Sequence, residues 1–225
     1  MTAAERAPRW VTFDCYGTLI DWNGGIGREL ERLFGPADVP RLLHGYHELE
    51  PVVERERPAQ TYREVLDSTV ARLAERDGQE LPASESDALS RSLPSWPVFP
   101  EVRMSLEDAR DRGWKLGVLS NTDRDLLDAS FDRIGVPFDA AVVASEIGSY
   151  KPARAHWDAF FERTGADPSG HVHVAASLFH DIAPARSLGL RTVWINRLGE
   201  DAYPEPDVEL HTLDGLGETL DSLVA

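Results

Sequence analysis

One cysteine, Cys15, and two methionines stand among the 225 residues. A lone cysteine makes no internal disulfide, so the chain is not a disulfide scaffold and a reducing compartment suits it. Basic residues are also scarce: 23 Lys and Arg against 39 Asp and Glu leave a formal charge of -16. Such a surface lacks the positive footprint that nucleic acid or an anionic membrane needs. It gives an anionic metabolite no long-range attraction either, so any attraction must come from a local pocket. No run approaches the roughly 20 apolar residues of a membrane span, and residues 1–9 lack the apolar stretch of a signal peptide. No repeat or low-complexity segment is evident. The expectation is a globular cytoplasmic chain with neither nucleic-acid nor membrane partner, one large domain or a core carrying an insert.

What is present begins at Trp10. Trp10, Val11, Thr12 and Phe13 are aromatic or β-branched and read as a strand buried on both faces, at the centre of a parallel sheet. Asp14 stands where that strand should end, and Gly17 marks a tight loop. A carboxylate at the carboxyl end of a central strand sits where open α/β sheets bind ligands. Cys15 beside it reads as a small buried hydrophobe rather than a reactive thiol.

Residues 21–27, Asp-Trp-Asn-Gly-Gly-Ile-Gly, read as a flexible segment and a candidate hinge. Leu30, Leu33 and Phe34, then Leu42, Leu43, Tyr46 and Leu49, mark helical faces, the second expected to kink or end at Pro51. Tyr62, Val65, Leu66, Thr69, Val70 and Leu73 give the best amphipathic pattern in the chain. Proline-rich residues 93–100 close this region. Residues 21–97 are therefore expected to form a helical cap inserted into a core of residues 1–20 and 98–225. From Glu101 onward strands (115–119, 140–144, 171–175, 191–195) alternate with helices (102–112, 124–134, 153–164, 181–188, 213–224). That alternation predicts a parallel sheet covered by helices on both faces.

Polar residues follow several of these strands: Ser120-Asn121, Lys151 and His180-Asp181. Taken singly, Ser and Asn suit a helix N-cap and Lys an exposed surface. Together they resemble the haloacid dehalogenase superfamily. Asp14-Cys15-Tyr16-Gly17-Thr18 is similar to its first motif, Leu119-Ser120-Asn121 to the second, Tyr150-Lys151-Pro152 to the third, and residues 174–181 to the fourth. Superfamily phosphatases carry further acids where Tyr16 and Ala176 stand, so the chain looks like the 2-haloacid dehalogenase branch.

The resemblance implies a Rossmann-like α/β core with strand order 3-2-1-4-5 and a hydrolase with Asp14 as nucleophile. Asp14 would displace halide from a small 2-haloacid to leave an ester, which water activated by Asp181 would hydrolyse. Lys151 would keep Asp14 ionised. Thr18, Ser120 and Asn121 would position the substrate carboxylate, with Tyr16 and Ser177 also at the substrate. The branch receives halide on an arginine of the cap, and His44 aligns there; Trp157 stands in place of a tyrosine, and Ala176 and Leu178 in place of Ser and Asn. Trp22, Trp96 and Trp157 read either as apolar walls of the pocket or as packing. This reading requires no cofactor. Its alternatives are a phosphatase or phosphonate hydrolase with Mg²⁺ on Asp14 and Asp181, and a binding protein without turnover. His180-Asp181 also reads as a metal-binding pair, but His171 and His173 share a strand face without the other ligands expected nearby. The expected partner is a small carboxylic acid, and a homodimer is left open.

Overall fold

The computed structural model describes residues 8–57 and 60–224. The N-terminal stretch read for a signal peptide thus lies, through residue 7, outside the described residues. No described helix is long and apolar enough to cross a membrane.

Six parallel strands form one sheet: β1 (Arg9–Phe13), β2 (Trp114–Ser120), β3 (Ala140–Val143), β4 (His171–Ala175), β5 (Arg191–Ile195) and β6 (Val208–Leu210). Their order is β3-β2-β1-β4-β5-β6. The central place of β1 follows from its composition, because Val11, Thr12 and Phe13 are fully buried and only a strand covered on both faces tolerates such a run. Phe13 aligns with Val118 on one side and Val174 on the other. The three carboxyl ends therefore finish together, and Asp14, Ser120 and the turn after β4 leave the sheet side by side. The order anticipated from the sequence is extended by β6 at the edge of β5. Three residues, Val-Glu-Leu, are too few to carry a strand period.

Between β1 and the rest of the sheet the chain is helical: α1 (Trp22–Phe34), α2 (Val39–Glu56), α3 (Tyr62–Arg76) and α4 (Ala88–Ser92). Then come α5 (Val102–Asp111), α6 (Arg124–Ile134), α7 (Ala144–Ile147), α8 (Ala155–Thr164), α9 (Ala183–Ser187) and α10 (Leu216–Leu223). The first group enters and leaves through adjacent strands of chain: Phe99 N–H donates to Leu19 O at 3.1 Å and Asp21 N–H to Pro97 O at 2.8 Å. α3 opens on a capping box, with Thr61 Oγ1 accepting from Glu64 N–H while the Glu64 carboxylate accepts from Thr61 N–H.

Two local expectations are corrected. The glycine-rich segment is not loose: Asp21 caps α1 by accepting the Gly24 N–H at 2.9 Å, and Gly24 to Gly27 lie within the helix. Packing explains the glycine at 25, where a Cβ would come 2.4 Å from the Trp96 ring. Gly25→Ala is expected to cost roughly 1–3 kcal/mol through overpacking. Urea denaturation should show a lower midpoint at unchanged slope; an unchanged midpoint would mean that Trp96 yields freely. Nor does Pro51 end its helix, since α2 continues to Glu56. Burial of Tyr46, Glu50 and Val53 around the proline outweighs the lost hydrogen bond, as tertiary packing commonly overrides local preference.

Candidate active site

The carboxyl edge of the sheet gathers three charged groups from three segments. Asp14 follows β1, Lys151 lies between α7 and α8, and Asp181 follows β4; they are 8 %, 2 % and 1 % exposed. Lys151 Nζ donates to Asp14 Oδ1 at 2.9 Å, to Asp181 Oδ1 at 2.6 Å and to the Leu119 carbonyl at 2.8 Å. An ammonium has three protons, so this one is fully engaged. Asn121 fixes the lysine from its backbone, accepting the Lys151 N–H at 2.6 Å and donating to the Lys151 carbonyl at 3.0 Å.

Each carboxylate has further support. Asp14 Oδ2 accepts from the Thr18 hydroxyl at 3.0 Å, and that hydroxyl accepts the Ala176 N–H at 2.9 Å. Asp181 Oδ1 also accepts from His173 Nε2 at 3.0 Å. Behind His173, the Thr12 hydroxyl bridges His173 Nδ1 and His171 Nε2, both at 2.8 Å. Ser177 Oγ accepts the His180 N–H at 3.0 Å and opens a single π turn, Leu178–Ile182, that carries Asp181 inward. Asp181 Oδ2 and Ser120 Oγ are buried without a hydrogen-bond partner among the described residues. Both residues line a cavity of about 470 Å³ between the sheet edge and the helical insertion. Buried polar atoms left unpaired are costly.

Burial pushes the Asp14 carboxyl up, more than the adjacent Lys151 charge pulls it down, and the Asp181 charge adds to the rise. Burial acts on Asp181 too, but Lys151 and His173, both bonded to it, outweigh that and hold its carboxyl below the ordinary range. Burial works against the Lys151 ammonium, yet the two carboxylates raise it above an ordinary lysine. The cluster is therefore a cation shared by two carboxylates of unequal basicity, a distribution typical of reacting groups.

The profile of the haloacid dehalogenase-like hydrolases matches residues 8–189. The chain belongs to that family. It is 27% identical over 219 residues to the (S)-2-haloacid dehalogenase of Pseudomonas sp. (strain YL), covering 94% of each chain. It is 29% identical over 197 residues to the phosphoserine phosphatase of Thermus thermophilus, covering 85% of this chain and 75% of that one. The fold matches the solved L-2-haloacid dehalogenase of Xanthobacter autotrophicus with chloropropionic acid covalently bound, at a TM-score of 0.84 and 19% identity, over 95% of this chain and 98% of the other.

Of the residues singled out in this hydrolase, Asp14, Tyr16, Ser120, Asn121, Lys151, Ser177 and Asp181 line the cavity, with Thr18 buried behind Asp14. The Tyr16 hydroxyl is directed to Leu126 O and Ser130 Oγ, so Tyr16 presents its ring rather than its oxygen. His44 does not belong to the site. Its side chain is 77% exposed beside Glu48, because position 44 falls on the solvent face of α2. His47, three residues on, lines the cavity instead, stacked on Trp22 at 4.9 Å and bonded to Asn23 Oδ1. Trp157 is corrected as well: α8 packs it into a cluster with Trp10 and Phe160, edge-on to His173 at 5.4 Å, so it is core. Trp96 is likewise packing, and Trp22 is a wall of the cavity.

Sequence reasoning missed Glu50, Glu54, Tyr62 and Arg197, which also line the cavity. A signal existed for two of them. His47, Glu50, Pro51 and Glu54 recur at spacings of three and four, one face of α2, and polar residues sharing a face with a buried tyrosine are informative.

The residues present do not fit a Mg²⁺ ion. Magnesium takes hard oxygen ligands in near-octahedral geometry, whereas positions 16 and 176 are Tyr and Ala. The two remaining carboxylates each give Oδ1 to the Lys151 ammonium lying between them. Among the described residues no group of three or more His, Cys, Asp or Glu is arranged to hold a metal.

Proposed function

We propose that this hydrolase cleaves the carbon–halogen bond of a 2-halo acid, with Asp14 as nucleophile. The observation that carries the reading is Tyr16 and Ala176 standing where the superfamily's phosphatases carry acids, beside an Asp14 and Asp181 that are bridged by Lys151. The 27% identity to a 2-haloacid dehalogenase along nearly the whole chain supports it.

In this mechanism an Asp14 oxygen attacks the halogen-bearing carbon from behind, halide leaves with the bonding pair, and an ester joins the substrate to Asp14. Lys151 offsets part of the burial that works against the charge on the attacking carboxylate. Ser120 Oγ, buried and without a partner, donates to the substrate carboxylate. Water then bonds to Asp181 Oδ2, gives it a proton and attacks the ester carbonyl carbon. Collapse expels the 2-hydroxy acid, whose alkoxide oxygen takes the proton held by Asp181, and the second water proton leaves the Asp14 carboxyl for solvent, returning its carboxylate. His173 and Lys151 hold Oδ1 of Asp181, which leaves Oδ2, without a partner among the described residues, as the oxygen that takes the proton. Residues 21–97 act as the cap that selects the substrate, and residues 1–20 with 98–225 form the catalytic core. The buried thiol of Cys15 fits a cytoplasmic location.

Halide release from racemic 2-bromopropanoate in the presence of a chelator tests the reading. Metal-free release is expected. Absence of halide together with Mg²⁺-dependent hydrolysis of a phosphate ester would overturn it.

A further inference from the structure

Part of the cavity wall is acidic and aromatic, and carboxylates do not serve a small anionic acid. Glu50 and Glu54 of α2 face the cavity beside Trp22 and Tyr62. Glu50 is 8% exposed and its Oε1 accepts both the Tyr46 and Tyr62 hydroxyls, at 3.1 and 3.2 Å. The Trp22 indole N–H donates to the Tyr62 oxygen at 3.2 Å, which commits the Tyr62 proton to Glu50. Among the described residues nothing bonds to Glu50 Oε2, an unpartnered oxygen on a buried side chain at the cavity. Lys151 has given all its protons, and Arg197 lies over Phe99 at 3.5 Å with its Nη2 bonding Glu101 and the Thr18 carbonyl and its buried Nε without a partner among the described residues. The volume, about 470 Å³, falls in the range of about 300–1,000 Å³ typical of drug-sized ligands and far exceeds the needs of a three-carbon acid.

Carboxylates beside aromatic faces are the chemistry that receives ammonium groups, through charge and cation–π attraction. We propose that Glu50, Glu54, Trp22 and Tyr62 form an ammonium-binding subsite, and that the substrate is a larger acid carrying a basic or quaternary nitrogen distant from its reacting carbon. The inference rests on the proposed reaction only for placing that carbon at Asp14.

The ionisation of the pair agrees. Burial, then the charge of Glu54, raises Glu50 to about 8, and burial raises Glu54 to about 7 against the pull of Lys151 and Arg55. The groups facing them are Tyr46 and Tyr62 at Glu50, and His180 (3.8 Å away), Lys151 and Arg55 at Glu54. An arriving cation favours the charged carboxylates, so binding releases protons and tightens as pH rises through about 7 to 8.

The test is calorimetric titration of the full chain with choline chloride and with its uncharged isostere, 3,3-dimethylbutan-1-ol. Choline is expected to bind about tenfold tighter or more, more tightly at higher pH, and Glu54→Gln or Glu50→Gln should each remove that preference. Thermal melting checks that the variants fold; Glu54→Gln, at the less buried edge, decides if Glu50→Gln does not. Equal affinity for the two probes, choline binding indifferent to both substitutions, or preference for an anion such as 3,3-dimethylbutanoate would overturn the subsite. Halide release is measured in parallel from a 2-bromo acid ending in trimethylammonium and from the same acid ending in tert-butyl. Selective choline binding without halide from either acid would keep the subsite and overturn the dehalogenase reading alone. Faster release from the ammonium acid would support both.

Discussion

Asp14→Asn is expected to lose turnover by roughly 10⁴-fold or more while the protein stays folded. The amide has nearly the shape of the carboxylate and retains an oxygen for the Lys151 ammonium, which keeps Asp181 as its counter-charge. What disappears is the anionic oxygen that attacks carbon. Because burial already works against the charge on Asp14, the neutral variant should melt at a temperature no lower than the wild type. Isotope transfer gives a second readout: in ¹⁸O-labelled water, the first turnover should place the label in the Asp14 carboxylate before it appears in product. Activity within about tenfold of wild type, or label entering product directly, would remove Asp14 from the nucleophile's role.

Lys151→Ala is expected to be the most destabilising single change in the chain. It leaves two adjacent carboxylates, 8% and 1% exposed, with no cation between them, and breaking a buried pair from one side typically costs about 3–5 kcal/mol. For a chain of this length that corresponds to a fall in melting temperature of roughly 6–20 °C. Adding Asp181→Asn to Lys151→Ala should recover part of the loss, because the two residues are in contact and their effects are not additive. The pH dependence follows from the directions of the shifts. Asp181 is held below the ordinary carboxylate range, so its contribution is present above that range and is lost as pH falls through its folded value. The Lys151 contribution is present below the ordinary lysine range and is lost as pH rises past its raised value. Wild-type stability should therefore decline on the acid side, and the lysine variant should lack that decline. A melting temperature unchanged by Lys151→Ala would show that the pair is not buried as described.

The sheet was legible in the sequence because its strands carry β-branched and aromatic runs ending in polar residues. Val11 to Asp14 and Leu119 to Ser120 declare both the strand and the site at its end. The edge strand Val208–Leu210 was not legible, since three residues hold no period. At Asp181 the sequence marks an acid after a strand but not the π turn at Leu178–Ile182 that buries it. His44 was the instructive failure. Alignment by motif fixes the core, where each anchor follows a strand, but on a helix an offset of three residues exchanges a solvent-facing side chain for a lining one. The cavity wall on α2 is set by helical phase, which Leu42 and Tyr46 already marked, but the helix was expected to kink or end at Pro51 and Glu54 lies beyond it. Gly25 was misread because a glycine chosen for close packing against Trp96 has the same letter as one chosen for freedom.

The two chain crossings at Leu19–Asp21 and Pro97–Phe99 have an evolutionary consequence. Hydrogen bonds and the antiparallel bridge of Ile20 with Val98 bring the insertion's ends together, so the core holds the mouth of the loop closed regardless of its contents. Closing a longer loop costs only about 0.6 kcal/mol per doubling of its length. Changes in the length of the connections within α1 to α4 therefore cost the sheet little, provided the faces that pack on it are kept. Under the proposed function, inheritance of the reacting groups is separated from inheritance of substrate choice: Glu50 and Glu54 make none of the bonds that join Asp14, Lys151 and Asp181.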